Sequence, residues 1–239
     1  GLGKLGWNKP PANDAAMYTD LLCRTYTAIK AVRPSAIVVG GAIAGPNEAF
    51  LRGMLDAGAG NCMDMLSLHL YVYRQNSPGH VPSDAPASVG VDKFIEVINA
   101  RENLVRAKTG KTIPILVTEA GFHGADEQLG ADYITELYER SSAVPFLKGI
   151  WWYELVDNPN KGAHGVLRNN NTKKPGFAAL QAAAKRLISK PLRSPSLPTP
   201  PASSPRQTRQ PSPGREAKSL PAPHRGREAR HHPARRMSP

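Results

Sequence analysis

Short apolar segments alternate with amphipathic segments along the first 190 residues, and this alternation constrains the fold more than any other feature. Four apolar segments are predicted as strands, at 34–45, 64–73, 112–121 and 145–157. Five segments with apolar residues at helical spacing surround them, at 11–32, 46–60, 91–110, 127–143 and 174–190. The order αβαβαβαβα predicts parallel strands joined by helical crossovers in an α/β fold.

Helical spacing also predicts which residues these helices bury. The first helix, with Asp14 as its cap, is expected to bury one stripe: Met17, Leu21, Leu22, Tyr26 and Ile29. The helix at 91–110 is expected to bury a second set: Phe94, Ile95, Ile98 and Val105. Pro46 is predicted to open the second helix, which closes on glycine by residue 60, and Gly110 to stop the third.

The strands end in polar or aromatic residues, which narrows the architecture to two candidates. His69 and Tyr71, then Glu119, then Trp152 and Glu154 stand at the ends of successive strands. Functional side chains at the carboxyl ends of parallel strands occur in (β/α)8 barrels and in open doubly wound sheets. Because only four strands are predicted, a barrel would be represented by its second half.

Glu119 is unusual because it ends a buried strand on a charge. Alternation with period two predicts that Ile115, Val117 and Glu119 share one face. On the preceding strand, Ser67, His69 and Tyr71 share a face. If both sets face inward, His69 and Tyr71 can hydrogen-bond the carboxylate. The alternative is a glutamate that reaches solvent at a strand end.

Several stretches, in order, resemble parts of clan A glycoside hydrolases similar to family 39 and some family 5 enzymes. "ILVTEAGF" resembles the seventh-strand motif that carries the nucleophile, and "MDMLSLHLYVY" resembles the sixth strand with its His-x-Tyr pair. "GIWWYELVDNPN" resembles the eighth strand, where a Trp floors the sugar subsite. The segment 18–45 resembles the fourth helix and fifth strand, and 164–180 the segment leading into the last helix.

The resemblance implies a TIM (β/α)8 barrel, of which residues 1–190 are the C-terminal half with strands 5–8. It implies that Glu119 is the catalytic nucleophile, with a carbohydrate as the partner and no cofactor. The residues expected to bind substrate are His69, Tyr71, Trp152 and Glu154. Parity with Glu154 favours Trp152 over Trp151 as the indole that stacks on a sugar. Glu154 and Asp157 either bind sugar hydroxyls or cap the strand end.

The acid/base position departs from the clan pattern. The clan uses the Glu of an Asn-Glu-Pro motif, whereas the nearest stretch here is "GWNKPP", with Lys9 in that place. Either Lys9 replaces the acid/base, or the motif belongs upstream and Trp7 matches a later aromatic residue. In both cases the second carboxylate of a retaining mechanism is missing, so the chain alone is expected to be inactive.

Residues 191–239 differ from the rest in composition. They hold ten Lys/Arg against two Glu, twelve of the 23 prolines, and no Phe, Trp or Tyr. Such a segment buries too little apolar surface to offset the entropy of ordering, so we predict a disordered tail that is dispensable for folding. Basic charge attracts nucleic acid, but the aromatic residues that stack on bases are absent, so no specific nucleic acid is expected.

The remaining features exclude several classes of protein. The longest apolar run, 36–45, is too short to span a bilayer, and no charged-then-apolar leader is present. Cys23 and Cys62 lack metal-ligand spacing and are not expected to form a disulfide framework. The loop histidines His80, His123 and His164 lack ligand spacing too, so no metal site is expected. A secreted or periplasmic location is implied only by the resemblance.

The function predicted from the sequence is therefore a retaining glycoside hydrolase acting on the O-glycosidic bonds of a β-linked glycoside or polysaccharide. One alternative is a carbohydrate-binding remnant without catalysis. Another is a protein that associates with nucleic acid through its basic tail.

Overall fold

The computed structural model describes residues 14–45, 47–160 and 162–189. Trp7, Lys9, Pro46 and the tail at 191–239 lie outside the described residues. The expectations for the acid/base position, for the opening of the second helix and for the tail therefore stay predictions.

The described residues form helices and strands in the predicted order. The helices are α1 (Asp14–Val32), α2 (Glu48–Asp56), α3 (Ala87–Thr109), α4 (Glu127–Ser141) and α5 (Pro175–Ser189), with a 3-10 turn at Ala59–Asn61. The strands are β1 (Val39–Ala44), β2 (Met65–Leu70), β3 (Ile115–Ala120) and β4 (Leu147–Trp152). None of the described helices is both long and apolar enough to cross a membrane.

The sheet is parallel and follows the chain order β1-β2-β3-β4. Crossovers between parallel strands are right-handed, so steps that always go in one direction put α2, α3 and α4 on the same face. A doubly wound sheet needs a reversal of strand order, and the described sheet has none. The described sheet therefore lacks the strand order of a doubly wound fold, and the half-barrel stays a prediction.

The helix-covered face of the sheet forms the core. Leu66, Leu68 and Leu70 of β2 are all 0% exposed, as are Ile115 and Val117 of β3. Helix α3 adds three of its predicted residues to this core: Phe94, Ile98 and Val105. Ile95 packs against the same core but is only partly buried. The face of α3 is therefore largely as predicted.

Helix α1 buries less than predicted. Leu22 is buried and Tyr26 is partly buried against the core, whereas Met17 is 58% exposed, Leu21 49% and Ile29 37%. The predicted stripe is wider than the face that α1 turns towards the sheet. Because α1 precedes the first strand of the order, it packs on α2 and its outer side is left open in the described part of the chain.

Side-chain contacts at the starts of α2 and α3 explain where these two helices begin. Asn47 caps α2, since its side-chain oxygen accepts a hydrogen bond from the Phe50 amide at 3.1 Å. Helix α3 stops at Gly110 as predicted, with φ of 72°, but it begins at Ala87 rather than at residue 91. Gly90 lies inside this first turn, and a Cβ there would come within 2.5 Å of the Tyr73 ring. Glycine at position 90 is therefore a packing requirement.

A disulfide joins Cys23 in α1 to Cys62 just after the 3-10 turn, with the two Cα atoms 4.8 Å apart. The expectation that these cysteines form no disulfide framework is therefore wrong. Sequence spacing did not indicate the bond because the two cysteines are separated by 39 positions that include β1 and α2, and only the packing of α1 brings them together.

Reduction of this disulfide should lower the free energy of unfolding by about 2–4 kcal/mol, because an open loop gains conformational entropy in the unfolded chain. Urea unfolding followed by circular dichroism, with and without reductant, measures the change. The Cys23→Ser/Cys62→Ser double variant is the reagent-free comparison. Two alkylatable thiols in the untreated protein would contradict the assignment.

The two edge strands lead to a prediction about association. Within the described residues nothing pairs with the outer sides of β1 and β4, and unpaired edges promote pairing with other chains. If residues 1–190 are half of a barrel, the chain alone should be marginally stable or should associate with itself. Light scattering after gel filtration measures this, and a stable monomer at all accessible concentrations would speak against the half-barrel prediction.

Candidate active site

Strand β3 carries one extra residue opposite β2 close to the predicted site. Leu68 pairs with Val117, and the next pair is His69 with Glu119, so the register shifts around Thr118. Thr118 Oγ1 lies 2.6 Å from Ser67 Oγ, which places the Thr118 side chain on the Ser67 side of the sheet.

This bulge changes the predicted faces of β3. Ile115 and Val117 point into the helix-covered core, yet Glu119 contacts residues of the opposite side. The expectation that all three share one face is wrong, because a bulge interrupts the period of two. Glu119 is on the predicted side only because Thr118 takes up the extra position.

Two predicted residues converge on one oxygen of Glu119. The Tyr71 hydroxyl donates a hydrogen bond of 2.7 Å to Glu119 Oε2, and His69 Nδ1 lies 3.4 Å from the same atom. In the described part of the chain, Oε1 has no hydrogen-bond partner. The Glu119 side chain is 36% exposed. These contacts therefore orient the carboxylate through Oε2 and leave Oε1 without a partner among the described residues.

Tyr71 is a donor at every pH of interest. Burial raises the pKa of the Tyr71 hydroxyl well above its usual range, and the hydrogen bond to Glu119 raises it further. The phenol therefore keeps its proton and cannot act as a competing anion beside the carboxylate.

Gly121 is required by crowding rather than by a turn. A Cβ at this position would lie 2.6 Å from the Tyr153 carbonyl oxygen and 2.9 Å from the Tyr71 ring. The Tyr153 amide also donates to the Ala120 carbonyl at 2.7 Å, which holds the two chain segments together. The glycine after Glu119 thus makes room for the ring that orients Glu119.

The two adjacent tryptophans have opposite environments, and they are reversed relative to the prediction. Trp152 packs against the core with its ring 6.2 Å from that of Tyr133. Trp151 is 52% exposed and lies over Gly149, next to Leu116. Leu116 alternates with the buried Ile115 and Val117, so Trp151 stands on the open face of the sheet. The prediction assumed that the alternation of side chains continues from Trp152 to Glu154, but β4 ends at Trp152.

Glu154 lies in the loop after β4. Its backbone amide donates to His164 and its carbonyl accepts from Val166, which ties this loop to the segment at 162–168. Its side-chain Oε1 is buried without a hydrogen-bond partner in the described residues. A buried carboxylate oxygen is stabilised by a donor, so this atom is suited to a ligand hydroxyl.

Asp157 has a structural role. Its Oδ1 lies 2.7 Å from Lys174 Nζ and accepts the Gly165 amide at 2.7 Å. The Asp157 and Lys174 side chains are only 13% and 7% exposed. The Asp157 carboxylate, which was predicted to bind sugar hydroxyls or to cap the strand end, is therefore engaged by Lys174 and Gly165.

A histidine pair was missed by the sequence analysis. His123 Nδ1 and His164 Nε2 are 3.2 Å apart, and His164 Nδ1 lies 3.1 Å from the Phe122 carbonyl oxygen. Burial lowers the pKa of His123, and the nearby His164 and Arg74 lower it further. The two histidines are 41 residues apart, so no spacing rule indicated their contact. No group of three or more metal-ligating side chains occurs among the described residues.

Glu119 lies on an open surface rather than in a closed pocket. A cavity of about 560 Å³ lies at the amino ends of β3 and β4, beside Pro114 and Pro145. A small one of about 30 Å³ lies between Trp152, Phe122 and Lys174. Neither cavity is lined by Glu119.

Comparisons with solved structures identify the fold. No protein-family model matches the sequence, and no curated protein does. The chain is similar to the crystal structure of a GH39 enzyme from Xanthomonas axonopodis pv. citri, with TM-score 0.54, 20% identity, and coverage of 75% of this chain and 39% of that one. It is similar to a GH39 β-xylosidase from Caulobacter crescentus, with TM-score 0.52, 21% identity and coverage of 75% and 40%. The matched part of the chain shares its fold with the corresponding part of these structures.

A third structure extends the comparison beyond one family. A β-glucuronidase from Bifidobacterium dentium in complex with coumarin-3-O-glucuronide has TM-score 0.50 and 15% identity, with coverage of 75% of this chain and 28% of that one. The chain spans about two fifths of the length of the two GH39 structures. At these identities the likeness concerns the fold, and it does not choose a specific family.

Replacing Gly121 by alanine should destabilise the protein by about 1–3 kcal/mol, because the new methyl group overlaps the Tyr153 carbonyl and the Tyr71 ring. Chemical denaturation measures the change. Gly176→Ala is the matched control, since the nearest atom to its Cβ is the end of the Ile134 side chain at 3.1 Å. Equal stabilities of the two variants would show that the site is not crowded at Gly121.

Proposed function

We propose that the chain is part of a retaining glycoside hydrolase in which Glu119 is the nucleophile. The observation that carries the proposal is the convergence of Tyr71 and His69 on one oxygen of Glu119, at the carboxyl end of a parallel strand. The Tyr71 hydroxyl donates to Oε2 and His69 Nδ1 lies 3.4 Å from the same atom, and Oε1 is left to attack an anomeric carbon. The glycoside hydrolase fold of the structural neighbours supports the same reaction class.

The substrate of the proposed enzyme is a β-linked glycoside or polysaccharide. Trp151 offers an exposed indole on the open face of the sheet, in the place that the sequence analysis gave to Trp152. Glu154 offers the buried, unpartnered Oε1 to a sugar hydroxyl. His69 and Tyr71 orient Glu119 and line its surroundings.

The acid/base of the proposed enzyme comes from outside the described residues. Retaining glycosidases place two carboxyl groups about 5–5.5 Å apart, whereas the hydrogen bond and the ion pair of the Glu119 carboxylate in the described part of the chain are with Tyr71 and His69. We infer that four further βα units supply the second carboxylate and close the open face. The chain alone should therefore hydrolyse no aryl glycoside above background.

The alternative of a carbohydrate-binding protein without catalysis is favoured by one observation. The exposed Trp151 suits binding without turnover. If a chain completed by the other four units binds glycans but never forms a covalent adduct, this alternative replaces the enzyme.

The test is covalent trapping in a barrel completed by those units. A 2-fluoro glycoside with a good leaving group slows hydrolysis of the glycosyl-enzyme more than its formation, so the sugar should be found on Glu119 by peptide mapping. Glu119→Ala should lower the rate by several orders of magnitude, with azide restoring turnover as a substitute nucleophile. Tyr71→Phe should cost about ten- to a hundredfold, because it removes one hydrogen bond to a charged group, and His69→Ala should likewise cost less than Glu119→Ala.

Glu139→Ala is the control, since Glu139 is an exposed residue of α4 and should leave the rate unchanged. A label on Glu154, or near-normal activity of Glu119→Ala, would sink the proposal.

A further inference from the structure

The histidine pair has a defined direction. The Phe122 carbonyl can only accept, so His164 Nδ1 carries the hydrogen of their 3.1 Å contact. In neutral His164 the other nitrogen, Nε2, is then an acceptor, and it receives the hydrogen of His123 Nδ1 over 3.2 Å. His123 in turn keeps its lone pair on Nε2. Each imidazole therefore fixes the tautomer of the next one.

His164 is also part of the wall around Tyr71. Its ring is 6.1 Å from the Tyr71 ring and 5.9 Å from the Tyr153 ring, both edge-on, and the residue is only 8% exposed. Tyr153 and Tyr71 are themselves 6.1 Å apart, and Gly121 closes a further side of the Tyr71 ring. Aromatic pairs at these separations attract one another, so His164 is one of the groups that limit the orientation of the Tyr71 ring.

We propose that His164 is a positioning residue: held by His123 and the Phe122 carbonyl, it keeps the Tyr71 ring where its hydroxyl donates to Glu119. This inference rests on the proposed role of Glu119 for its catalytic meaning, but the positioning itself does not require turnover. It assigns a task to two loop histidines that neither sequence motif nor metal chemistry explains.

The closing experiment uses nuclear magnetic resonance of the chain with ¹³C-labelled Tyr Cζ and ¹⁵N-labelled histidine. His164 should show a protonated Nδ1 and an unprotonated Nε2. His164→Ala should move the Tyr71 Cζ signal towards its position in Glu119→Ala, where the side-chain acceptor is gone. His164→Gln should move it too, because glutamine can accept from His123 but has no ring to pack on Tyr71. His80→Ala, which changes an exposed loop histidine, should leave the signal in place.

Two results would overturn the proposal: a His164 protonated on Nε2 alone, or a Tyr71 signal that does not move in His164→Ala while the variant stays folded. If His164→Ala does not fold, His164→Gln and His123→Phe decide, since the first removes the ring beside Tyr71 and the second removes the donor to His164. His123→Phe should shift the Tyr71 signal, and no shift would count against the pair.

A kinetic cycle in the completed barrel separates this proposal from the role of Glu119. If His164 acts through Tyr71, the His164→Ala/Tyr71→Phe double variant should lose no more in kcat than Tyr71→Phe alone. Additive losses would show that His164 acts elsewhere. Absence of any turnover would remove the proposed function but would leave the resonance result to decide the positioning.

Discussion

The parallel pairing of β2 with β3, including its one-residue bulge, is the constraint on which the site depends. It brings His69 level with Glu119 while Thr118 turns to Ser67. Without the extra residue, the strict alternation of β3 would direct Glu119 to the face of Ile115 and Val117, which is packed with apolar side chains. A carboxylate there would be buried without donors, which is strongly unfavourable. The bulge thus reconciles an apolar strand with a charged end.

Around this pairing, the loops beyond the strands make the site rigid. Tyr71 and Tyr153 each follow directly on a strand end, and the His164 ring packs against both. The Glu154 backbone then links the loop after β4 to His164 and Val166. Because these contacts join three separate connections at the carboxyl edge, a change in any one of them acts on the donor that contacts Glu119.

The sequence predicted the parts of the fold that follow from local periodicity. The order of elements, the apolar face of α3 and the convergence of His69 and Tyr71 with Glu119 were all accessible, because each depends on spacing within one segment or on the common edge of parallel strands. The predictions that failed assumed that the alternation of side chains continues through an irregularity. The bulge at Thr118 interrupts this alternation in β3, and the end of β4 at Trp152 stops it before Glu154. Contacts between distant loops, such as His123 with His164 or Cys23 with Cys62, leave no local pattern.

The Cys23–Cys62 bond has a mechanical consequence. The bond closes a covalent loop that contains β1 and α2. The sequence separation of 39 residues corresponds to about 130 Å of extended chain. When the protein is pulled from its ends, this length cannot be drawn out while the disulfide is intact. A pore that admits only one extended chain would have to admit the disulfide-closed loop together with that chain. The oxidised protein is therefore a poor substrate for enzymes that unfold proteins by pulling the chain through a pore.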